Sequence, residues 1–182
     1  MNVIGLCGAS GSGKTTLGEG LIRAFKAQGC RVSVIKHTHK PFDIDRPGKD
    51  SHRHRAAGAF EVLVANPHRI ALMREFEVEA HLSVHQLVAE LSDLGTLGVE
   101  HWVIVEGFKH ADLPKVEVWR AAHGAPAMYP DDPFVIAVAR PTADSVPHPT
   151  GLPLLDLDDP ASVADFLRSD PQRYGYRAPE HR

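Results

Sequence analysis

The sequence predicts an α/β fold of the P-loop NTPase type. It has three layers and a mostly parallel central sheet, which an antiparallel hairpin makes mixed. Three observations lead there. Residues 8 to 15 read Gly8-Ala9-Ser10-Gly11-Ser12-Gly13-Lys14-Thr15, the G-x-x-x-x-G-K-[ST] phosphate-binding pattern. The apolar run Val3-Ile4-Gly5-Leu6-Cys7 precedes it, and Leu17, Leu21, Ile22 and Phe25 follow at helical spacing, so strand, loop and helix come in the required order. A second buried-type strand, His101-Trp102-Val103-Ile104-Val105-Glu106-Gly107, ends in an acid and a glycine.

Each residue type of the loop has a physical role. Glycines reach backbone angles that a Cβ forbids, so consecutive N–H groups of residues 8 to 16 can turn inward as a nest for phosphate oxygens. That assigns nucleotide contact to Gly8, Ser10, Gly11, Ser12, Gly13, Lys14, Thr15 and Thr16. Lys14 reaches the β- and γ-phosphates and the Thr15 hydroxyl ligates Mg²⁺. The helix N-terminus adds attraction for the anion.

After Gln28-Gly29, a helix stop, Arg31 to Lys36 reads as the second strand. Ligands in parallel sheets bind beyond the carboxyl ends of the strands, so Lys36 falls on the rim of the phosphate loop. Residues 37 to 50 form a long polar loop, a length that favours function over a plain connector. A short helix from Ser51 to Ala57 follows, stopped at Gly58. Phe60 to Ala65 and Arg69 to Arg74, separated by Asn66-Pro67-His68, read as a hairpin. Ser83 caps a helix expected to run through Leu94. Glu106, at the tip of its strand, is placed on the metal side of the nucleotide, holding the Mg²⁺ hydration shell or polarising water. Lys109 follows it, facing phosphate or only solvent. Lys115 to Arg120 alternates cleanly, which predicts one wet or contact-forming face. Phe134 to Ala139 reads as a buried strand, Leu154 to Leu157 as a short one, and Asp159-Pro160 opens a helix through Leu167. One nucleotide-binding domain is expected over 1–168, with the hairpin at 60–74 as an insertion and 169–182 as a polar, frayed tail.

Composition narrows the class. The chain has 182 residues and a formal net charge of −3, which argues against bulk nucleic-acid binding. No apolar run reaches a membrane span and the first residues carry no leader pattern, so no membrane and a cytoplasmic setting are expected. Two cysteines offer no disulfide framework. The His37/His39 and His52/His54 pairs lack neighbouring cysteines. A zinc site, anion or pterin contact, and plain exposure all stay open for them. Arg46, Lys49, Arg53 and Arg55 form a basic group able to grip phosphate by forked hydrogen bonds, or a solvated face. Trp102 and Trp119 are assigned to the core or a dimer contact.

These residues together resemble the molybdopterin-guanine dinucleotide biosynthesis protein B (MobB) family. The resemblance rests on the Gly8–Thr15 loop, Val34-Ile35-Lys36-His37 and the specific string Phe42-Asp43-Ile44-Asp45-Arg46-Pro47-Gly48-Lys49-Asp50-Ser51. It continues in Arg53-His54-Arg55, Ala57-Gly58-Ala59, Val105-Glu106-Gly107-Phe108-Lys109, Pro114-Lys115-Val116-Glu117-Val118 and Leu157-Asp158-Asp159. It implies a GTP-binding accessory protein with weak Mg²⁺-dependent GTPase activity that assists conversion of molybdopterin to its guanine dinucleotide. Nucleotidyl transfer itself would belong to a partner enzyme, MobA. The resemblance also implies a homodimer joined through sheet edges, for which 60–74 and 115–120 are the candidates. The Val-Glu-Gly strand ending is similar to dethiobiotin synthetases as well. A small-molecule kinase or ATP-dependent synthetase is therefore the alternative. Asp45 and Asp50 are both candidates for a second metal-side carboxylate. No Asn-Lys-x-Asp string reads guanine here, and Asp144, after the strand at 134–139, is the candidate for that role.

Overall fold

A computed structural model describes residues 1–91 and 98–177. The chain forms two compact units, Met1–His37 with Ser83–Arg182, and Thr38–Leu82.

The elements run β1 (Asn2–Cys7), α1 (Lys14–Ala27), β2 (Arg31–Lys36), α2 (Asp50–Ala56), β3 (Glu61–Asn66), β4 (Arg69–Arg74), α3 (Val84–Glu90), β5 (His101–Glu106), β6 (Lys115–Val118), β7 (Val135–Arg140), β8 (Leu154–Asp156) and α4 (Pro160–Arg168). In the larger unit six strands pair in the order β2-β5-β1-β6-β7-β8, and every pairing is parallel. Side chains alternate between the two faces, as pleated strands demand. Ile4, Leu6, Trp102, Ile104, Val116 and Val118 pack with α1 and α4. Val3, Val103 and Val105 pack with Val84 and Val88 of α3. Helices on both faces bury the inner strands β1, β5, β6 and β7, while the edge strands β2 and β8 keep exposed residues; burial on both faces is why β1, β5 and β7 read as near-continuous apolar runs. The helix expected to reach Leu94 is seen over Val84–Glu90; residues 92 to 97 lie outside the described residues.

Three expectations need correction. β3 and β4 do not extend the central sheet. They pair only with each other, Glu61 opposite Arg74 through Asn66 opposite Arg69, so the central sheet is wholly parallel and the mixed-sheet detail falls. Lys115–Val118 is no edge either. β6 lies between β1 and β7, and all four of its residues are buried. Finally, the segment after Ser169 does not fray before residue 177. Tyr174 is buried, its ring 5.4 Å from that of Trp102, Gly175 bridges Asn2, and the Tyr176 hydroxyl lies 2.9 Å from His85 Nδ1.

The smaller unit holds α2 and the hairpin. Its polar centre is Arg55, which donates to Asp43 and Asp45, both at 3.1 Å, and to Glu75 at 2.6 Å.

Candidate functional site

β1 enters the site at its carboxyl end and leaves through the Gly8–Thr15 loop into α1. Gly8 has φ +125, and a Cβ there would lie 2.3 Å from the Val118 carbonyl oxygen, so only glycine fits between the loop and β6. Lys14 Nζ donates to the carbonyls of Gly8 (3.0 Å) and Ala9 (2.6 Å). Burial lowers its pKa below the usual lysine range, against the opposing pull of Glu106. The Ser12 Oγ is buried in the loop without a hydrogen-bond partner.

Glu106 ends β5, in register with Leu6 of β1 and Lys36 of β2. Its side chain is only 6 % exposed. It fits because Gly18 of α1 leaves room: a Cβ there would stand 3.0 Å from Glu106 Oε1. Thr15 Oγ1 donates to Glu106 Oε2 at 3.2 Å, and Lys36 Nζ is paired to the same oxygen. Lys36 Nζ also lies 3.5 Å from Thr15 Oγ1. The spot between the threonine hydroxyl and the buried carboxylate is thus already held by a cationic group. A loop of backbone donors, an orphaned hydroxyl, and a hydroxyl–carboxylate pair suited to a hard cation together fit a Mg²⁺-bound phosphate chain.

Ser10, Gly11 and Thr16 belong to the same loop and first helical turn, where they are exposed. Lys109 is exposed, and its carbonyl accepts from Lys115. The Asp144 Oδ2 accepts the Ala121 N–H at 2.8 Å. In the smaller unit Asp45 is taken up by Arg55, by the Ser51 hydroxyl at 2.8 Å and by the Arg46 N–H. Asp50 is solvent-exposed, 3.8 Å from Arg53. Arg46, Lys49 and Arg53 are exposed. Among the described residues no three His, Cys, Asp or Glu side chains group as a metal site.

Sequence reasoning missed two residues. Arg120 Nε donates to the Ser12 carbonyl at 2.9 Å, and His123 Nε2 lies 2.9 Å from the Gly11 carbonyl, a hydrogen bond that its Nε2–H tautomer makes. Both follow β6 directly. The rule that flagged Lys36 and Glu106, a polar residue at the carboxyl end of a parallel strand on the rim of the phosphate loop, extends to Arg120, two residues past β6, once β6 is known to neighbour β1.

Residues 3–141 match the family model of "Molybdopterin guanine dinucleotide synthesis protein B". This chain belongs to the MobB family. It is 42% identical over 159 residues to the "Molybdopterin-guanine dinucleotide biosynthesis adapter protein" of Escherichia coli (strain K12), covering 87% of this chain and 86% of that relative. The adapter protein of the same description from Haemophilus influenzae is 38% identical over 169 residues, 92% of this chain and 88% of that protein. Among solved structures, Bacillus subtilis MobB superposes with a TM-score of 0.70 at 24% identity, over 94% of this chain and 98% of that one. The last likeness concerns the fold alone. It agrees with the P-loop architecture that this MobB chain displays.

Proposed function

We propose that this MobB protein is a GTP-binding accessory protein of molybdenum cofactor maturation. In this reading it assists, in the cytoplasm, the attachment of GMP to molybdopterin by a MobA-like nucleotidyltransferase. The family and the adapter descriptions of its relatives support the accessory role. The single observation that carries nucleotide binding is the glycine-lined loop with Thr15, Lys36 and Glu106 converging beside it.

Backbone N–H groups of residues 8 to 16 receive the phosphates. Lys14 leaves the Gly8 and Ala9 carbonyls for a phosphate oxygen, and Lys36 moves off Glu106 toward the phosphate side. Thr15 and Glu106 would then hold Mg²⁺, whose charge neutralises the β- and γ-phosphates. Glu106, buried in the room that Gly18 leaves, would supply the carboxylate that holds the cation. Hydrolysis is slow in this arrangement. Arg120 is committed to the Ser12 carbonyl, and a missing arginine finger costs roughly 10³ to 10⁵ in rate. The exposed Arg46, Lys49 and Arg53 of the smaller unit are assigned to a phosphate of molybdopterin. Arg55 and Ser51 occupy Asp45, so Asp50, 3.8 Å from Arg53, is the less engaged of the two carboxylates. A homodimer forms through the β3–β4 hairpin, whose Leu63, Val64, Ile70 and Leu72 are exposed.

Calorimetric titration with Mg·GTP and Mg·ATP is the test, beside Lys14→Ala and Glu106→Gln. GTP binds the wild-type protein in preference to ATP. Lys14→Ala loses most of that binding, and Glu106→Gln loses its magnesium dependence, about tenfold or more in affinity, which is 1.4 kcal/mol per decade. An ATP preference, or a Lys14→Ala protein that binds as the wild type does, overturns the reading.

A further inference from the structure

The sheet order tells where the nucleoside must go. β2 and β5 lie on one side of β1, and β6, β7 and β8 on the other. Lys36 and Glu106 end β2 and β5, so the metal end of the phosphate chain is turned to that side. A phosphate chain seated in the loop after β1 therefore leads its sugar and base toward the carboxyl ends of β6, β7 and β8. There the loop after β6 is already clasped to the P-loop, through Arg120 to the Ser12 carbonyl and His123 to the Gly11 carbonyl.

A guanine base offers two neighbouring donors, N1–H and the N2 amine. A carboxylate with both oxygens available answers them together, a strong and planar pairing. Among the described residues, the carboxyl end of β8 and the loops just past β7 and β8 carry four carboxylates. Asp144 holds the Ala121 N–H. Asp156 holds the Asp158 N–H at 2.9 Å. Asp159 caps α4 through the Ser162 N–H at 3.2 Å. Asp158 is different. Its side chain is 69% exposed, and its nearest partner is the Arg120 guanidinium at a loose 3.9 Å. Arg120 therefore spans from the P-loop carbonyl to Asp158 and places that carboxylate within one guanidinium's breadth of the phosphate loop.

We infer that the loops after β6, β7 and β8 form a base-binding subsite in which Asp158 accepts the N1–H and N2–H of guanine. The inference rests on the nucleotide-binding reading above and names the residue that makes the site choose guanine. Arg120 sets the carboxylate's position, and His123 walls the mouth of the loop. Asp144 keeps a structural task, pinning Ala121.

Xanthosine triphosphate is the discriminating probe, because xanthine carries an oxygen where guanine carries the N2 amine. An amide in place of the carboxylate can donate to that oxygen. Asp158→Asn therefore lowers GTP affinity roughly ten- to hundredfold and raises affinity for xanthosine triphosphate by a similar factor, read by competition titration with Mg²⁺ present. Asp144→Asn keeps the preference for GTP over xanthosine triphosphate. Circular dichroism confirms that both variants fold. A wild-type protein that binds GTP while Asp158→Asn keeps the wild-type ratio of the two nucleotides overturns the inference and leaves the accessory reading intact. So does an exchange of preference at Asp144 instead. A folded wild-type protein that binds neither nucleotide overturns both.

Discussion

At the scale of single residues, the tightest constraints come from groups that are buried because the phosphate loop needs its neighbours close. Cys7 ends the strand that feeds the loop and is 1% exposed, packed with Trp119, Tyr129 and Val138. Burial, and after it the carboxylate of Glu117, pushes its thiol from an ordinary value of 9.0 up to about 12. The sign of the linkage follows. Above pH 9 the unfolded chain releases this proton and the folded chain keeps it, so stability falls as pH climbs from 9 toward 12. Each unit of separation is worth about 1.4 kcal/mol. Cys7→Ala removes the effect while leaving a small cavity. The stability advantage of the wild-type protein over Cys7→Ala, measured by urea denaturation, should therefore shrink by about 2 kcal/mol between pH 8 and pH 10.5. Two curves that stay parallel across that range show a thiol that ionises as freely in the folded chain as in the unfolded one.

At the scale of elements, β6 teaches most. Its sequence alternates charge with valine, a pattern that reads as a strand with one wet face. The structure buries both charges instead. Lys115 is 1% exposed and runs alongside Gly5, where a Cβ would meet its Cγ at 2.6 Å. Its ammonium donates to the carbonyls of Lys109 (3.0 Å) and Ala111 (2.7 Å) and pairs with Asp132 at 2.6 Å. Glu117 accepts the N–H groups of Met128 and Tyr129, both at 2.8 Å, and burial raises its pKa in spite of them. Buried charges survive only when paired and hydrogen-bonded, and here β6 uses them to hold the loops at its two ends. Lys115→Met should cost about 3 to 5 kcal/mol in urea denaturation, because it strands Asp132 and two carbonyls. Adding Asp132→Leu should recover a large part of that loss. A single substitution as cheap as a surface change would mean that water satisfies the stranded groups. This contrast also marks what was legible in the chain. The strand–loop–helix of residues 3 to 26, the acid closing β5 and the helix caps at Ser83 and Asp159 are local patterns, and the structure has them. The partners of Lys115 and Glu117 come from loops, which no periodicity reports. Arg120 and His123 stayed hidden for the same reason, since their meaning depends on β6 lying beside β1. The docking of Tyr174 on Trp102 was equally invisible in a segment that reads as polar.

At the scale of the whole molecule, the two units differ in what holds them. The larger one encloses its sheet between helices on both faces, and its strands β1 and β5 are almost wholly buried. The smaller one has a two-stranded sheet, a seven-residue helix and the ion cluster around Arg55. A lone two-stranded sheet is marginal in water, so this unit should open locally while the other stays closed. Its apolar side chains make the same point: Leu63 is 62% and Ile70 54% exposed, on strands whose outer edges have no partner among the described residues. Such edges invite a further strand, and a second copy of the chain is the occupant the proposed homodimer supplies. Hydrogen exchange read at several protein concentrations separates the two contributions. At high dilution the amides of β3 and β4 should exchange about a thousandfold faster than those of β1 and β5, a difference of about 4 kcal/mol in opening energy. As concentration rises, protection should grow along the strand edge that receives the partner and stay constant in β1 and β5, because association stabilises only what it covers. Protection in β3 and β4 that equals that of β1 at every concentration would show that the hairpin is held within a single chain, and the dimer would have to form elsewhere.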